Sequence, residues 1–218
     1  MGLAEDSNAM DLYYLPISPY SHKVQLYLIE NDLSHNAIPV NIFDEDDFKQ
    51  YREFHPIGKL PLLVVGEKKI PESSTIVEYL DLEFPGAEPR IPQDPKQALE
   101  VRLKDRWIDQ YLSDAAITIF FQMMRPEEQR DQIRLSKSQR YLKATYDYVE
   151  QTLADNAKVF GGTSGPYYFH GAQWTLADLA LLPALRTAQN IFSFEQYPHI
   201  QGYFATHSER DAFKLIGK

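Results

Sequence analysis

The first clear apolar run, Leu12-Tyr13-Tyr14-Leu15, is broken by Pro16 and then by the turn-prone Ser18-Pro19, which predicts a short strand and a loop. A helix follows. Pro19 suits a first helical position, and Val24, Tyr27 and Leu28 recur at i, i+3, i+4 until Asn31-Asp32 can stop them. Ile38, Val40 and Ile42 alternate as a strand does, and Pro39 inside the run has no amide to donate, which assigns that strand to a sheet edge. The acidic stretch Asp44 to Asp47 leads into Phe48, Tyr51 and Phe54, whose i, i+3, i+6 spacing predicts a short or irregular helix with one buried side. Leu60 to Val65, the turn Gly66-Glu67 and Lys68 to Ile70 read as a two-strand hairpin. Ser73 to Phe84 returns to helical spacing through Ile76, Val77 and Leu80. The first 84 residues thus give βαβ followed by ββα, while Met1 to Ala9 carry no hydrophobic period.

Pro85 to Pro92 holds three of the 14 prolines in eight residues and has little helix or strand potential, as a linker should. Beyond it the pattern is helical. Leu99, Leu103, Trp107 and Tyr111 follow at i+4, and Leu135, Leu142, Tyr146, Val149 and Leu153 mark a second long helix. A glycine-rich break, Gly161 to Pro166, precedes an apolar helix opened by Thr175, where Asp178 three residues on can complete a reciprocal cap. The expected organisation is an α+β domain over 10–84, a linker over 85–93 and an all-α domain over 94–218.

Composition removes several function classes. The 218 residues carry 22 Lys and Arg against 31 Asp and Glu, a formal charge of −9, and lack the basic face that a nucleic-acid binder needs. No stretch approaches the roughly 20 apolar residues of a membrane span, and no signal-type start precedes them, so the expectation is a cytoplasmic protein without a membrane partner. With no cysteine there is no disulfide, no thiolate zinc site and no protein thiol nucleophile. The six histidines lack metal-ligand spacing, and no metal is expected. Walker and dinucleotide glycine motifs are absent, and Thr163 stands where a hydrolase elbow would place serine.

Three segments change the picture when taken together: Ser18-Pro19-Tyr20-Ser21-His22-Lys23-Val24, His55-Pro56-Ile57-Gly58-Lys59-Leu60-Pro61 and Pro71-Glu72-Ser73-Ser74-Thr75-Ile76. In this order, followed by a proline-rich linker and a helical domain, they resemble the thioredoxin-like half of cytosolic glutathione S-transferases, and the likeness runs over nearly the whole chain after Met10. The resemblance implies a thioredoxin-like first domain, glutathione as co-substrate, an apolar electrophile as second substrate, a homodimer and a role in detoxification.

It also implies roles for particular residues. Ser18, just ahead of the first helix, is the first choice to activate the glutathione thiol, and Tyr14 at the end of the first strand is the rival. Pro61 matches the cis-proline that exposes the Leu60 backbone to the cysteinyl main chain. Glu72 and Ser73 match the residues that hold the γ-glutamyl end, and Lys59 is placed to meet the glycyl carboxylate. Trp107 and Tyr111 are expected to wall the electrophile site. Each position has a plainer reading beside this one: a helix cap for Ser18, sheet packing for Tyr14, a trans strand-start proline for Pro61, a cap for Ser73 with Thr75 and Glu78 as a competing cap, a solvated Lys59, and core packing for Trp107 and Tyr111. Conjugation, glutathione-dependent peroxide reduction and isomerisation all stay open. The absence of cysteine argues against the branch that forms a mixed disulfide with glutathione. A non-catalytic protein of the same fold, binding a partner or apolar ligands, is the alternative.

Overall fold

A computed structural model describes residues 10–84, 89–161 and 167–217. Contacts between Cα atoms divide the chain into two compact units, one of Met1–Ala87 with Leu215–Lys218 and one of Glu88–Lys214. The sequence pattern carried everything after residue 94 into the second domain and gave no sign that the last residues side with the first unit.

The first unit is built on strands β1 (Met10–Tyr14), β2 (Asn36–Pro39), β3 (Leu62–Val65) and β4 (Lys68–Pro71), in the order β2-β1-β3-β4. β1 and β2 are parallel, as a strand-helix-strand crossover requires, and the other two pairs are antiparallel. Pro39 lies in the edge strand β2, where its missing amide costs no ladder bond. Gly66, at φ +57, turns the β3–β4 hairpin. Helices α1 (Pro19–Glu30), α2 (Glu45–Phe54) and α3 (Ser73–Glu83) complete the unit. Asp44 caps α2 by accepting from the amides of Asp46 and Asp47, which explains the acidic run ahead of it. Of the three aromatics spaced along α2, Tyr51 alone is buried.

α1 differs from the amphipathic helix that its apolar spacing predicts. Every residue from Ser21 through Leu28 is buried, including His22, Lys23 and Gln25. Lys23 donates from Nζ to Ser74 Oγ at 3.1 Å, tying α1 to the first turn of α3. Leu12, Leu26, Leu28, Leu63, Ile76 and Leu80 are fully buried, each contributing roughly 1.5–3 kcal/mol.

The second unit holds α4 (Pro95–Ile108), α5 (Asp114–Met123), α6 (Gln132–Asn156), α7 (Leu176–Ala188), α8 (Pro198–Ser208) and all of α9 (Asp211–Leu215) but its last residue. α4 and α5 are one continuous helical run interrupted by a π turn at Asp109–Ser113, and a second π turn, Ala157–Gly161, ends α6. The glycine-rich break predicted over Gly161 to Pro166 lies outside the described residues after Gly161, and so does the linker over 85–88. In the remainder of the linker, Arg90 O accepts from the Leu176 amide at 2.9 Å. Along α6, Leu135, Leu142, Tyr146, Val149 and Leu153 all face the core, as their spacing predicts. Leu99 and Leu103 on α4 do not: they are 68% and 55% exposed.

The capping box expected at Thr175 and Asp178 is present. Asp178 is wholly buried and accepts from the amides of Phe169 (2.6 Å) and Thr175 (2.9 Å), and from the hydroxyls of Thr175 (3.0 Å) and Tyr203 (3.1 Å). Burial outweighs these four bonds and pushes its carboxyl up to about 6. Among the described residues no helix is long and apolar enough to cross a membrane.

Candidate active site

The strand register brings three segments to one end of the first unit's sheet. Tyr13 lies opposite Leu62 and Leu62 opposite Pro71. The chain leaving β1 toward Ser18, the chain entering β3 through Leu60-Pro61 and the chain leaving β4 into Glu72-Ser73 therefore meet there. These are the segments singled out in the sequence, with Ser18 and Ser73 lying 55 residues apart along the chain, and they are gathered by antiparallel pairing.

At the first of them Ser18 is the N-cap of α1, 6% exposed, with extended backbone at φ −87 and ψ 124. Its Oγ accepts from the Ser21 amide at 3.4 Å, a long contact that uses a lone pair and leaves the hydroxyl proton to donate elsewhere. The loop ahead of it is pinned by two α1 side chains: Ser21 Oγ accepts from the Leu15 amide at 3.0 Å, and His22 Nε2 meets Pro16 O at 2.6 Å. Nothing in the spacing of these two side chains marks them as anchors of this loop. Tyr14 lies on the buried face of β1 with Met10 and Leu12.

At the second segment the Leu60–Pro61 peptide bond is cis, so the trans alternative does not apply. Lys59 is solvent-exposed, and its carbonyl accepts from the Tyr51 hydroxyl at 2.7 Å, which anchors this stretch to α2. Burial pushes the Tyr51 phenol well above its ordinary range, so it stays a donor at every physiological pH. Gly58, at φ +67, makes the turn that leads in.

At the third, α3 begins at Ser73, so the cap residue is Glu72, and neither Ser73 nor the Thr75–Glu78 pair serves as cap. Glu72 holds φ +70 and ψ 114, a conformation that a residue with a Cβ adopts at a cost of about 1–3 kcal/mol. Its exposed carboxylate makes no capping bond, although its carbonyl accepts from the Ile76 amide at 2.9 Å. The first amides of α3 thus lack intrahelical acceptors at the positive end of a helix, beside the buried Ser73 hydroxyl.

In the second unit, Trp107 and Tyr111 are half-buried and meet edge to face at 5.1 Å. Trp107 also packs on Tyr148 at 5.0 Å and Tyr111 on Tyr141 at 5.3 Å, forming an aromatic row between α4 and α6. Tyr111 lies inside the π turn at Asp109–Ser113, so the stripe that the sequence draws through it does not run along one uninterrupted α-helix.

Comparison with known proteins identifies the family. Residues 12–88 match the family model "Glutathione S-transferase, N-terminal domain" and residues 112–211 match "Glutathione S-transferase, C-terminal domain". The chain belongs to the glutathione S-transferase family, with a thioredoxin-like first unit and a helical second one. It is 27% identical to glutathione S-transferase Z1 of Arabidopsis thaliana over 218 residues, spanning 94% of this chain and 90% of that protein. A glutathione S-transferase from Methylobacillus flagellatus KT, solved with GSH bound, is 25% identical with a TM-score of 0.80, covering 94% of this chain and 98% of that one. Ure2p in complex with S-hexylglutathione superposes with a TM-score of 0.85 over 98% of this chain and 100% of that one; at 16% identity this likeness concerns the fold alone.

Proposed function

We propose that the protein is a glutathione transferase in which Ser18 donates a hydrogen bond to the sulfur of bound glutathione and holds it as the thiolate. The observation that carries the reading is the start of α3: a non-glycine residue kept at φ +70, whose side chain makes no capping bond to the helix it begins. Backbone strain held at a helix N-terminus is the arrangement of a ligand clamp, and the γ-glutamyl carboxylate is an anion of the right size for it. In this reading Ser73 and the α3 amides take that carboxylate and Glu72 takes the ammonium. The Leu60 backbone pairs with the cysteinyl main chain and Lys59 faces the glycyl carboxylate. Trp107 and Tyr111 serve the apolar electrophile. A cytoplasmic homodimer acting in detoxification belongs to the same reading.

The chemistry follows from the thiol. In water its pKa lies near ~8.5, so only about 3% is ionised at pH 7. The Ser18 hydroxyl and the positive end of α1 both favour the anion, and lowering the pKa by about two units would make thiolate the main form. The proton leaves to solvent. A sulfur lone pair then forms the new bond to the electrophilic atom, and the leaving group departs with the electrons of the bond it loses; a hydroperoxide is attacked at oxygen in the same way. Tyr14, on the buried face of β1, is the weaker donor candidate.

Isothermal titration with glutathione is the first test, followed by turnover of a panel of electrophiles and hydroperoxides. Binding is expected, with turnover falling about 100-fold in Ser18→Ala and changing by no more than about threefold in Tyr14→Phe. No binding at millimolar glutathione would sink the proposal and leave the non-catalytic alternative.

A further inference from the structure

The loop that carries Ser18 is closed by one main-chain bond, from the Ser18 amide to Leu15 O at 3.0 Å. Pro16, inside it, has no amide to contribute, and the Ile17 side chain points to solvent. The loop carbonyl at Pro16 is instead held from α1 by His22 Nε2 at 2.6 Å. A carbonyl only accepts, so Nε2 is the protonated nitrogen and donates whether the ring is neutral or charged. His22 is 4% exposed, and the bond is therefore shielded from competing water.

Residues 215–217 reach this same spot. Ile216 is buried, and the Gly217 amide donates to Gln25 Oε1 at 3.2 Å, one helical turn beyond His22. A Cβ on Gly217 would stand 2.7 Å from His22 Nε2 and 2.9 Å from Pro16 O, the two ends of the hydrogen bond. The backbone there has φ +75. Both the close approach and the left-handed conformation select glycine. This chain segment closes over the His22–Pro16 hydrogen bond, two residues upstream of the candidate hydroxyl.

We propose that His22 is a positioning residue for the Ser18 hydroxyl, and that Ile216-Gly217 cover the His22–Pro16 hydrogen bond and keep it intact. The proposal rests on the reading of Ser18 as the thiol activator. His22 does not touch glutathione. It fixes the Pro16 carbonyl, which with the Leu15–Ser18 turn fixes where the Ser18 side chain starts. Loosening that anchor lets the hydroxyl drift from the sulfur, and the bound thiol relaxes toward its value in water.

The test is an ultraviolet titration of the glutathione thiolate bound to the full chain, with thermal unfolding and S-methylglutathione binding measured in parallel. His22→Leu is expected to raise the bound thiol's pKa by about one unit, with turnover at neutral pH down roughly tenfold and recovering at higher pH. S-methylglutathione, which has no proton to lose, should keep its affinity within about twofold. His22→Gln retains an N–H donor and should restore most of the shift, and Gly217→Ala should move the pKa in the same direction by less. These last two variants carry the test if His22→Leu does not fold.

An unchanged thiol pKa in the His22 and Gly217 variants, with unfolding temperature alone lowered, would overturn the proposal. A shift in His22→Gln as large as in His22→Leu would also overturn it, since the hydrogen bond would then not be the cause. Ser18→Ala separates the two layers. If it raises the thiol pKa while His22→Leu does not, only the positioning role fails; if it leaves the pKa unmoved, the activator reading fails and the positioning role falls with it.

Discussion

The N-termini of α7 and α3 both present backbone amides without intrahelical acceptors, and their carboxylate-bearing residues treat those amides in opposite ways. At α7 the carboxylate of Asp178 turns back to its own helix start, accepts four hydrogen bonds and is buried with them. At α3 the cap residue Glu72 also carries a carboxylate, but its backbone sits at φ +70 and its side chain makes no capping bond. A helix start capped by its own carboxylate holds the fold together, and one without a side-chain cap suits an anion from elsewhere. The contrast assigns Asp178 to stability and is the basis for the binding role proposed for Glu72-Ser73, although both resemble the caps of ordinary helices in the sequence.

Asp178→Ala leaves four donors without their acceptor. It should cost about 3–5 kcal/mol in chemical denaturation while glutathione affinity of the folded fraction stays at its wild-type value. A pH series sharpens the same point. Because the folded-state carboxyl sits at about 6, above its ordinary 3.8, the folded protein binds a proton that the unfolded chain has lost in the window between. The contribution of Asp178 is thus fully present below about pH 4 and declines as pH rises through about 6. The stability difference between wild type and Asp178→Asn should shrink by roughly 3 kcal/mol across that window, with Lys104 facing the site in both proteins.

At the open helix start the effects are smaller and of the other kind. Glu72→Gly relieves the left-handed backbone and should raise stability by up to about 1 kcal/mol while weakening glutathione binding roughly tenfold. A gain in unfolding temperature with undiminished affinity would refute the division of labour. Smallest is Lys59→Ala, a solvated side chain whose removal should change the glutathione KM by no more than about threefold and stability by less than about 0.5 kcal/mol.

Much of the first unit was legible because its signals are local. Pro39 could occupy only an edge strand, Gly66-Glu67 could only turn a hairpin, and Ser18-Pro19 has the chemistry of a cap followed by a first helical residue. What was illegible depended on long-range contacts. Lys23 reads as a surface lysine until Ser74, 51 residues away, takes its proton donor inside the core. Gly217 reads as an ordinary end-of-helix glycine, and only the folded chain shows that its missing Cβ makes room for His22 and Pro16. The stripe Leu99, Leu103, Trp107, Tyr111 assumed an uninterrupted helix with that face inward, whereas its first two residues are exposed. Periodicity shows that a helix has an apolar side and does not show what covers it.

The π turn at Asp109–Ser113 carries a consequence for the long helical run it interrupts. Each of its hydrogen bonds spans five residues where an α-helix spans four, so it acts as a phase adjuster between the run's two halves. Removing one residue there would straighten the run and rotate Asp114–Met123 by about 100° about its axis, carrying Ala115, Ala116 and Ile119 away from the core they now face. The two halves therefore answer to separate packing demands, and the extra residue keeps them mutually compatible.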